Sequence, residues 1–301
     1  MKAFILAAGF GTRLQPLTNR TPKPLLSIYG LPIIDLIIRQ LKEHGVEEMV
    51  VNNHHLGQQI VDHLHDGREY GVWVIYFSEK NILGSGGGIG AAARHLKNGE
   101  FCLLHNGDIW TDIDLSEVME KHQASQNDIT MVLIDREEFN QVIVDSEGRV
   151  LDIHRRSVSS ECNRKVLAYT GISVIGTHLL GEFPDDRQED LIKIYLRLMG
   201  KGVKVGCHFA QESFWEDIGS LSSYFRLHET LYKEGHPPYV SQSAKVSPSA
   251  RLEGFYSIGN GVLIEEGCFV ENSIVTPGST LQAGLSLSHA IFDNNEIIQC
   301  K

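Results

Sequence analysis

The chain has 301 residues, of which 42% are hydrophobic, and it carries a formal net charge of −11 at pH 7. This length suffices for a full core and favours two domains or one large α/β unit. The negative charge argues against a nucleic-acid partner, and no apolar run approaches the roughly 18 residues of a membrane span. Five cysteines without a Cys-x-x-Cys pair lead us to expect a cytoplasmic protein.

The chain begins with a short apolar run, residues 3–8, which leads into Gly9-Phe10-Gly11-Thr12-Arg13-Leu14 and then Pro22-Lys23-Pro24. The run predicts a buried strand. A Gly-x-Gly turn after a strand lets backbone N–H groups approach an anion without a Cβ atom in the way. Arg13 and Lys23 add two cations. The sequence therefore predicts a phosphate cradle that binds a nucleoside triphosphate.

Other interpretations of this N-terminal sequence fit less well. A Walker loop requires Gly-x-x-x-x-Gly-Lys-[Ser/Thr], and a dinucleotide fingerprint requires a small residue where this chain has Leu14. A literal Gly-x-Gly-x-x-Ala begins at Gly86, but a run so rich in glycine matches that pattern easily. The apolar run is also too short for a secretory signal. A plain tight turn would explain Gly9 and Gly11 but would not require Arg13.

Helices and strands alternate after this loop. The spacing of apolar residues predicts a helix over 33–41, a strand over 46–52, a helix over 58–64, and strands over 72–77 and 101–105. This alternation predicts a parallel sheet with helices on its faces. Ligands of such sheets bind at the carboxyl ends of the strands, which is where the Gly9 loop and Asp108 are expected.

The sequence between residues 129 and 175 has a different pattern. Alternating apolar runs and a turn at Asp145-Ser146-Glu147-Gly148 predict an antiparallel ribbon. A helix over 189–199, a strand over 203–209 and a helix over 221–232 are expected to follow. Residues 233–238, Lys-Glu-Gly-His-Pro-Pro, are typical of a linker.

Apolar residues recur at every sixth position in the C-terminal part of the chain. A period of six is typical of a β-helix of hexapeptide repeats. About 60 residues leave little surface for a second active site such as that of an acyltransferase, and His289 is the only histidine there, so we expect a structural or homo-oligomer-forming role. The predicted domains are 1–232 and 241–301, joined by a linker at 233–240. The sixfold series is Val246, Leu252, Ile258, Ile264 and Val270.

One family resemblance covers about residues 1–232. Gly-x-Gly-Thr-Arg-Leu-x-Pro-Leu-Thr followed by Pro-Lys-Pro-Leu runs unbroken from Gly9 to Leu25, and it resembles the signature of the sugar-nucleotide pyrophosphorylases, or sugar-1-phosphate nucleotidyltransferases. The resemblance implies an α/β fold with a mostly parallel, Rossmann-like sheet of the GT-A type. A short left-handed β-helix is a common appendage in that family.

The reaction implied by the resemblance joins a nucleoside triphosphate to a sugar 1-phosphate and releases pyrophosphate. Arg13 would then contact the β and γ phosphates, and Lys23 would stabilise charge near the α-phosphate. Asp108, after a buried strand, and Asp217, in Trp-Glu-Asp-Ile-Gly, match the family's Mg²⁺ ligands. No general base is needed, because a sugar phosphate is already ionised. The nucleotide contacts implied are Leu6, Ala8, Gly9, Gly11, Thr12 and Gly86.

The sugar pocket follows the family pattern less closely. Asn106, Glu161 and Gly171 are the candidate sugar contacts, and Tyr169-Thr170-Gly171 looks more like the N-acetylmuramate 1-phosphate and mannose 1-phosphate branches than the thymidylyltransferases. Two other functions stay open, which are a catalytically silent sugar-nucleotide-binding subunit and a phosphocholine-type cytidylyltransferase. The cation that holds the sugar phosphate is also open among Arg155, Arg156, Arg164 and Lys165.

Overall fold

The structure, a computed structural model, describes residues 1–153 and 164–300. The chain divides into two compact units: unit 1 comprises Met1–Phe10 and Ile37–Trp215, and unit 2 comprises Gly11–Leu36 and Glu216–Lys301. The N-terminal motif therefore crosses from unit 1 to unit 2 between Phe10 and Gly11. The predicted domain boundaries at residues 232 and 240 remain a prediction.

The helices and the strands up to residue 217 follow the alternation expected from the sequence. No helix in the described part of the chain has the length and apolar character that a membrane span needs. The helices are α1 (Ile33–Glu43), α2 (Gly57–Leu64), α3 (Gly84–Leu96), α4 (Leu115–Ser125), α5 (Leu191–Gly200) and α6 (Leu221–Lys233). The strands are β1 (Lys2–Leu6), β2 (Ser27–Ile28), β3 (Leu31–Pro32), β4 (Glu48–Asn53), β5 (Trp73–Ser78), β6 (Phe101–Asn106), β7 (Ile109–Thr111), β8 (Ile129–Ile134), β9 (Val142–Val144), β10 (Val150–Ile153), β11 (Lys165–Gly176), β12 (Val205–Phe209) and β13 (Trp215–Asp217).

Unit 1 is built on a nine-stranded sheet. Strand β1 lies between β4 and β6 and pairs with both in parallel, and β4 pairs in parallel with β5. Phe4, Val50 and Leu104 from these strands are fully buried, as strands covered on both faces must be. The predicted mostly parallel α/β sheet is confirmed, and the carboxyl ends of β1, β4, β5 and β6 lie along one edge of it.

The segment predicted as an antiparallel ribbon forms the other side of the same sheet. Strand β11 pairs antiparallel with β6, β8 and β9, and β9 pairs antiparallel with β10. Strand β8 also pairs in parallel with β12, and all six of its residues are buried. The ribbon is thus an integral part of the core sheet, because its strand β8 is covered on both faces.

The glycine-rich stretch 84–88 forms the start of helix α3. A Cβ atom at Gly87 would lie 2.5 Å from the carbonyl oxygen of Arg187, and a Cβ atom at Gly90 would meet the carbonyl oxygen of Pro184. Glycine in a helix costs about 1 kcal/mol relative to alanine. Close approach of the backbone of residues 183–190, which any larger residue would prevent, explains why the helix carries these glycines.

The C-terminal part of unit 2 consists mostly of short parallel strands. Lys245 pairs with Leu263 and Arg251 with Phe269, each eighteen residues apart, and Leu263 then pairs with Thr280. The residues of the sixfold series from Ile258 onwards are buried. The strands are β14 (Tyr239–Val240), β15 (Lys245–Val246), β16 (Arg251–Ile258), β17 (Leu263–Ile264), β18 (Phe269–Val275), β19 (Thr280–Leu281), β20 (Ser286–Ser288), β21 (Ala290–Asp293) and β22 (Glu296–Gln299).

Helix α6, also in unit 2, buries one histidine completely. His228 is 0% exposed and lies against the rings of Tyr29 and Tyr224. Its Nδ1 contacts the carbonyl oxygen of Tyr224 at 3.0 Å. Burial lowers the pKa of His228 from 6.5 to about 4, because a charged imidazole would lose its hydration.

We expect this histidine to make unit 2 sensitive to acid. Between pH 6.5 and pH 4 the unfolded chain binds a proton at His228 that the folded chain does not, so the free energy of unfolding falls as the pH falls. From pH 7 to pH 5 the loss should be about 2 kcal/mol. Urea unfolding at both pH values measures it. The loss should shrink by this amount in His228→Gln and persist in His236→Gln, and an equal loss in all three proteins would contradict the prediction.

Candidate active site

A cavity of about 220 Å³ lies in unit 1 at the carboxyl edge of the sheet. Its walls come from the ends of β1, β4, β5 and β6 and from the start of α3. It therefore occupies the position at which ligands of parallel sheets bind. The lining residues are Leu6, Ala8, Gly9, Asn52, Glu79, Ile82, Gly84, Ser85, Asn106 and Asp108.

A buried hydrogen-bond network fixes the walls of this cavity. The Oδ1 of Asn52 accepts from the backbone N–H of Ala7 at 2.7 Å, and its Nδ2 donates to Oε1 of Glu79 at 2.7 Å. The other Glu79 oxygen accepts from the N–H of Leu83 at 2.8 Å. A Cβ atom at Gly88 would lie within 2.7 Å of both side chains. The network thus ties the end of β1 to β4, β5 and the start of α3.

A close contact between the ends of β1 and β6 places Asp108 at the cavity. Gly107 donates its N–H to the carbonyl oxygen of Leu6 at 2.8 Å, and a Cβ atom there would lie 2.7 Å from the same oxygen. Only glycine lets the chain after β6 lie so near β1, so that half-buried Asp108 follows at the cavity wall. Burial lowers the pKa of the neighbouring His105 to about 4, so this imidazole is neutral at physiological pH.

Two of the predicted sugar contacts lie together in unit 1. Gly171 has φ +83°, and a Cβ atom there would lie 2.6 Å from Nδ2 of Asn106, which lines the cavity. Glycine at position 171 therefore leaves room for the side-chain amide of Asn106. Gly86 differs, because it is buried against Ile194 and does not line the cavity. Glu161 lies outside the described residues.

Unit 2 holds the remaining motif residues, beginning with Gly11 and Lys23. Gly11 has φ +64°, and a Cβ atom there would lie 2.7 Å from Cγ2 of Thr18 and 3.5 Å from Cβ of Lys23. The Thr18 hydroxyl donates to the carbonyl oxygen of Gly11 at 2.9 Å. Half-buried Lys23 starts a short 3₁₀ helix, Lys23–Leu25, directly after Pro22. Gly11 is thus the contact point that sets Lys23 beside the glycine turn.

Arg13 and Asp217 form a second group within unit 2. Arg13 and Thr12 are exposed on a 3₁₀ turn, Thr12–Leu14, which is anchored by fully buried Leu14. A Cβ atom at Gly219 would lie 2.8 Å from both Nη2 of Arg13 and Oδ1 of Asp217. The glycine of the Trp-Glu-Asp-Ile-Gly motif therefore leaves space for a guanidinium and a carboxylate side by side.

Comparison with known proteins identifies the family. Residues 2–234 match the model of the family described as "Nucleotidyl transferase". The chain belongs to this family of nucleotidyltransferases. It is 26% identical over 296 residues to a mannose-1-phosphate guanylyltransferase of Mycobacterium tuberculosis, covering 94% of this chain and 81% of the relative.

One further relative and one solved structure are also similar to this chain. An N-acetylmuramate alpha-1-phosphate uridylyltransferase of Neisseria meningitidis is 47% identical over 121 residues, which is 40% of this chain and 52% of the relative. HddC from Yersinia pseudotuberculosis, solved in complex with GMP-PN, superposes with a TM-score of 0.64 at 20% identity. That superposition covers 76% of this chain and 99% of HddC, and it supports the α/β fold.

The oxygen donors of this nucleotidyltransferase fit a magnesium ion better than a transition metal. Mg²⁺ takes oxygen ligands and is held by one or two carboxylates together with substrate phosphates and waters. Within the described residues, no three His, Cys, Asp or Glu side chains form a metal-binding group. Asp108 in unit 1 and Asp217 in unit 2 each present a half-buried carboxylate. Each carboxylate supplies oxygen donors of the kind that suits an ion bound together with a nucleotide.

Sequence reasoning missed Asn52 and Glu79 as residues of the candidate site. Asn52 stood at the end of a predicted strand, and Glu79 follows another. The rule that ligands bind at the carboxyl ends of parallel strands pointed to both positions. The rule gives the edge of the sheet, but it does not say which polar side chains face the ligand and which face the core.

Proposed function

We propose that this protein transfers a nucleotidyl group from a nucleoside triphosphate to a sugar 1-phosphate, releasing pyrophosphate and forming a nucleoside diphosphate sugar. The observation that carries the proposal is the cavity at the carboxyl edge of the sheet, where the unbroken Gly9–Leu25 motif begins and Asp108 follows strand β6. Family membership and the names of the relatives support the same reaction.

The protein's own contribution to this reaction is the handling of charge. Leu6, Ala8 and Gly9 would line the nucleotide subsite, and the backbone of Gly11 and Thr12 would continue the cradle. Arg13 would pair with the phosphates that leave. Lys23 would stabilise the charge that develops at the α-phosphate, where fixed cations act most strongly in a site that excludes water. No side chain needs to remove a proton, because the attacking phosphate oxygen is already ionised.

Asp108 and Asp217 would hold a magnesium ion in this scheme. Bound with the nucleotide, the ion would neutralise phosphate charge during the displacement. Gly107 and Gly219 support these roles, since Gly107 lets the chain before Asp108 lie against the backbone of Leu6 and Gly219 leaves room beside the Asp217 carboxylate. Arg13 next to Asp217 would balance the carboxylate's charge while the ion is absent.

We propose that the sugar substrate belongs to the mannose 1-phosphate or N-acetylmuramate 1-phosphate branch. The Tyr169-Thr170-Gly171 sequence supports this choice, as do the names of two relatives. Asn106 and Gly171 would contact the sugar, and Glu161 is proposed from the motif alone. Among the candidate cations for the sugar phosphate, Lys165 lies on β11 with its Nζ 5.0 Å from the centre of the Phe209 ring. Arg155 and Arg156 lie outside the described residues.

The strands beyond Tyr239 are proposed to form a short left-handed β-helix of hexapeptide repeats. Parallel pairing at intervals of eighteen residues at first and seventeen residues further along, close to the length of three hexapeptides, supports it. Its proposed role is structural or oligomer-forming, and the proposed domains are those predicted from the sequence, 1–232 and 241–301. We place the protein in the cytoplasm.

Pyrophosphate release from a matrix of triphosphates and hexose 1-phosphates tests the enzymatic proposal. We expect magnesium-dependent release with at least one pair and the matching nucleoside diphosphate sugar as product. Product binding without release in any pair would establish a catalytically silent binding subunit instead. Release with CTP and phosphocholine, but with no sugar phosphate, would establish the phosphocholine-type cytidylyltransferase.

A further inference from the structure

We propose that the C-terminal strands position Lys23 by holding the N-terminal loop on both sides of it. The loop is residues 11–36 and the tail is residues 239–300, and both belong to unit 2. The inference concerns the mechanical support of Lys23, and its catalytic consequence rests on the proposed function. Its physical basis is a pair of anchors, one at Arg20 and one at residues 27–30.

The first anchor is a polar cluster around Arg20. Arg20 Nη1 lies 3.3 Å from Oδ2 of Asp293, whose side chain is only 11% exposed. The other Asp293 oxygen accepts from the Thr276 hydroxyl at 2.6 Å. With its side-chain oxygen turned towards Arg20, Asn294 accepts hydrogen bonds from both Nη atoms of Arg20 at 2.9 Å. The tail thus presents a largely buried carboxylate and an amide oxygen to one loop guanidinium.

The second anchor lies at residues 27–30. A Cβ atom at Gly30, where φ is +83°, would collide with the Tyr239 ring that begins the tail. Tyr29 donates its hydroxyl to the carbonyl oxygen of His228 at 2.9 Å. Tyr224 donates to the carbonyl oxygen of Ser27 at 2.6 Å. Helix α6 and the first strand of the tail therefore hold the loop from the other side.

Lys23 stands between these two anchors along the chain. Arg20 precedes it by three residues and Ser27 follows it by four. Pro22 and Pro24 restrict the backbone on either side of Lys23. This part of the loop is therefore too stiff to absorb a displacement of either anchor, and Lys23 moves with the anchor. Loss of an anchor should therefore move the ammonium group away from its working position.

A double-mutant cycle in the full chain tests this coupling. Asp293→Asn keeps the side-chain shape and an acceptor for Thr276 but removes the charge facing Arg20. We expect Asp293→Asn and Arg20→Ala each to lower kcat about tenfold, because small misplacements of a catalytic group are costly. KM should change less than about twofold for both substrates. The double variant should be no slower than the slower single variant.

A matched control separates support of the loop from general weakening of the tail. Glu271 is another tail carboxylate and accepts a hydrogen bond from the Ser288 hydroxyl at 2.7 Å, within the tail. Glu271→Gln should leave kcat unchanged. Independent, additive effects of Arg20→Ala and Asp293→Asn, or the same loss of kcat in Glu271→Gln, would overturn the proposal.

Hydrogen–deuterium exchange gives a readout that does not depend on activity. In Asp293→Asn, amides of residues 17–26 should exchange faster, while those of β1 should keep their wild-type rates. Tyr239→Ala, which removes the ring over Gly30, should speed exchange in residues 25–31. Unchanged exchange in both variants would refute the anchors even if the enzyme is active. Faster exchange in the two variants, together with a wild-type protein that releases no pyrophosphate, would leave the anchors standing and reject the proposed function.

Discussion

Replacing Lys23 by methionine is expected to lower kcat about a thousandfold, because one preorganised charge facing the transition state is worth about this much. Methionine keeps an unbranched apolar side chain of similar length, so the contact beside Gly11 and the short helix Lys23–Leu25 should persist. Steady-state pyrophosphate release measures the loss. KM for the triphosphate should rise far less than kcat falls, since the charge is needed most in the transition state.

Lys121→Met serves as the matched control for Lys23→Met. Lys121 is 56% exposed on α4, and its partner is Glu117, one helical turn away. An exposed ion pair of this kind contributes little to stability, so kcat should stay within about twofold of wild type. An equal loss in both variants, or a Lys23→Met enzyme with normal kcat, would remove Lys23 from the reaction.

The second large effect is expected for Asp108→Asn. The amide has the shape of the carboxylate but lacks the charge that a magnesium ligand needs. We expect kcat to fall at least about a hundredfold, with the magnesium concentration for half-maximal activity raised. Binding of Mn²⁺ with nucleotide, followed by electron paramagnetic resonance, should weaken in parallel and requires no turnover.

The control for Asp108→Asn is Asp62→Asn on α2. Asp62 is exposed and accepts a hydrogen bond from Gln58 within its own helix. Removing the charge of Asp62 should change neither the metal requirement nor kcat. Wild-type Mn²⁺ binding in the Asp108→Asn protein would show that this carboxylate is not a metal ligand.

Much of the sheet and of the candidate site was predictable because both depend on local patterns. The alternation of strands and helices placed the carboxyl edge, and the motif named Gly9, which lines the cavity there. The grouping of residues 11–36 with the C-terminal strands was not predictable. Arg20 and Asp293 are separated by 273 residues, and neither lies in a periodic pattern that would reveal its partner.

Helix α3 shows a different limit of sequence reasoning. Five glycines between residues 84 and 90 predict a loop from local propensity alone. Close contacts with the backbone of residues 183–190, and with Asn52 and Glu79, outweigh that propensity. Those contacts come from segments distant in sequence, so only the tertiary structure explains why so poor a helix former is helical here.

The last strand of the tail limits how copies of this protein could join. Strand β22 turns back through Asn294 and Asn295 and pairs antiparallel with β21. The row of parallel strands in this sheet therefore ends in a strand of the opposite direction, and the parallel pairing stops at β22. A second tail that added to this edge would have to pair with β22, so a uniform parallel row would not continue from one copy to the next.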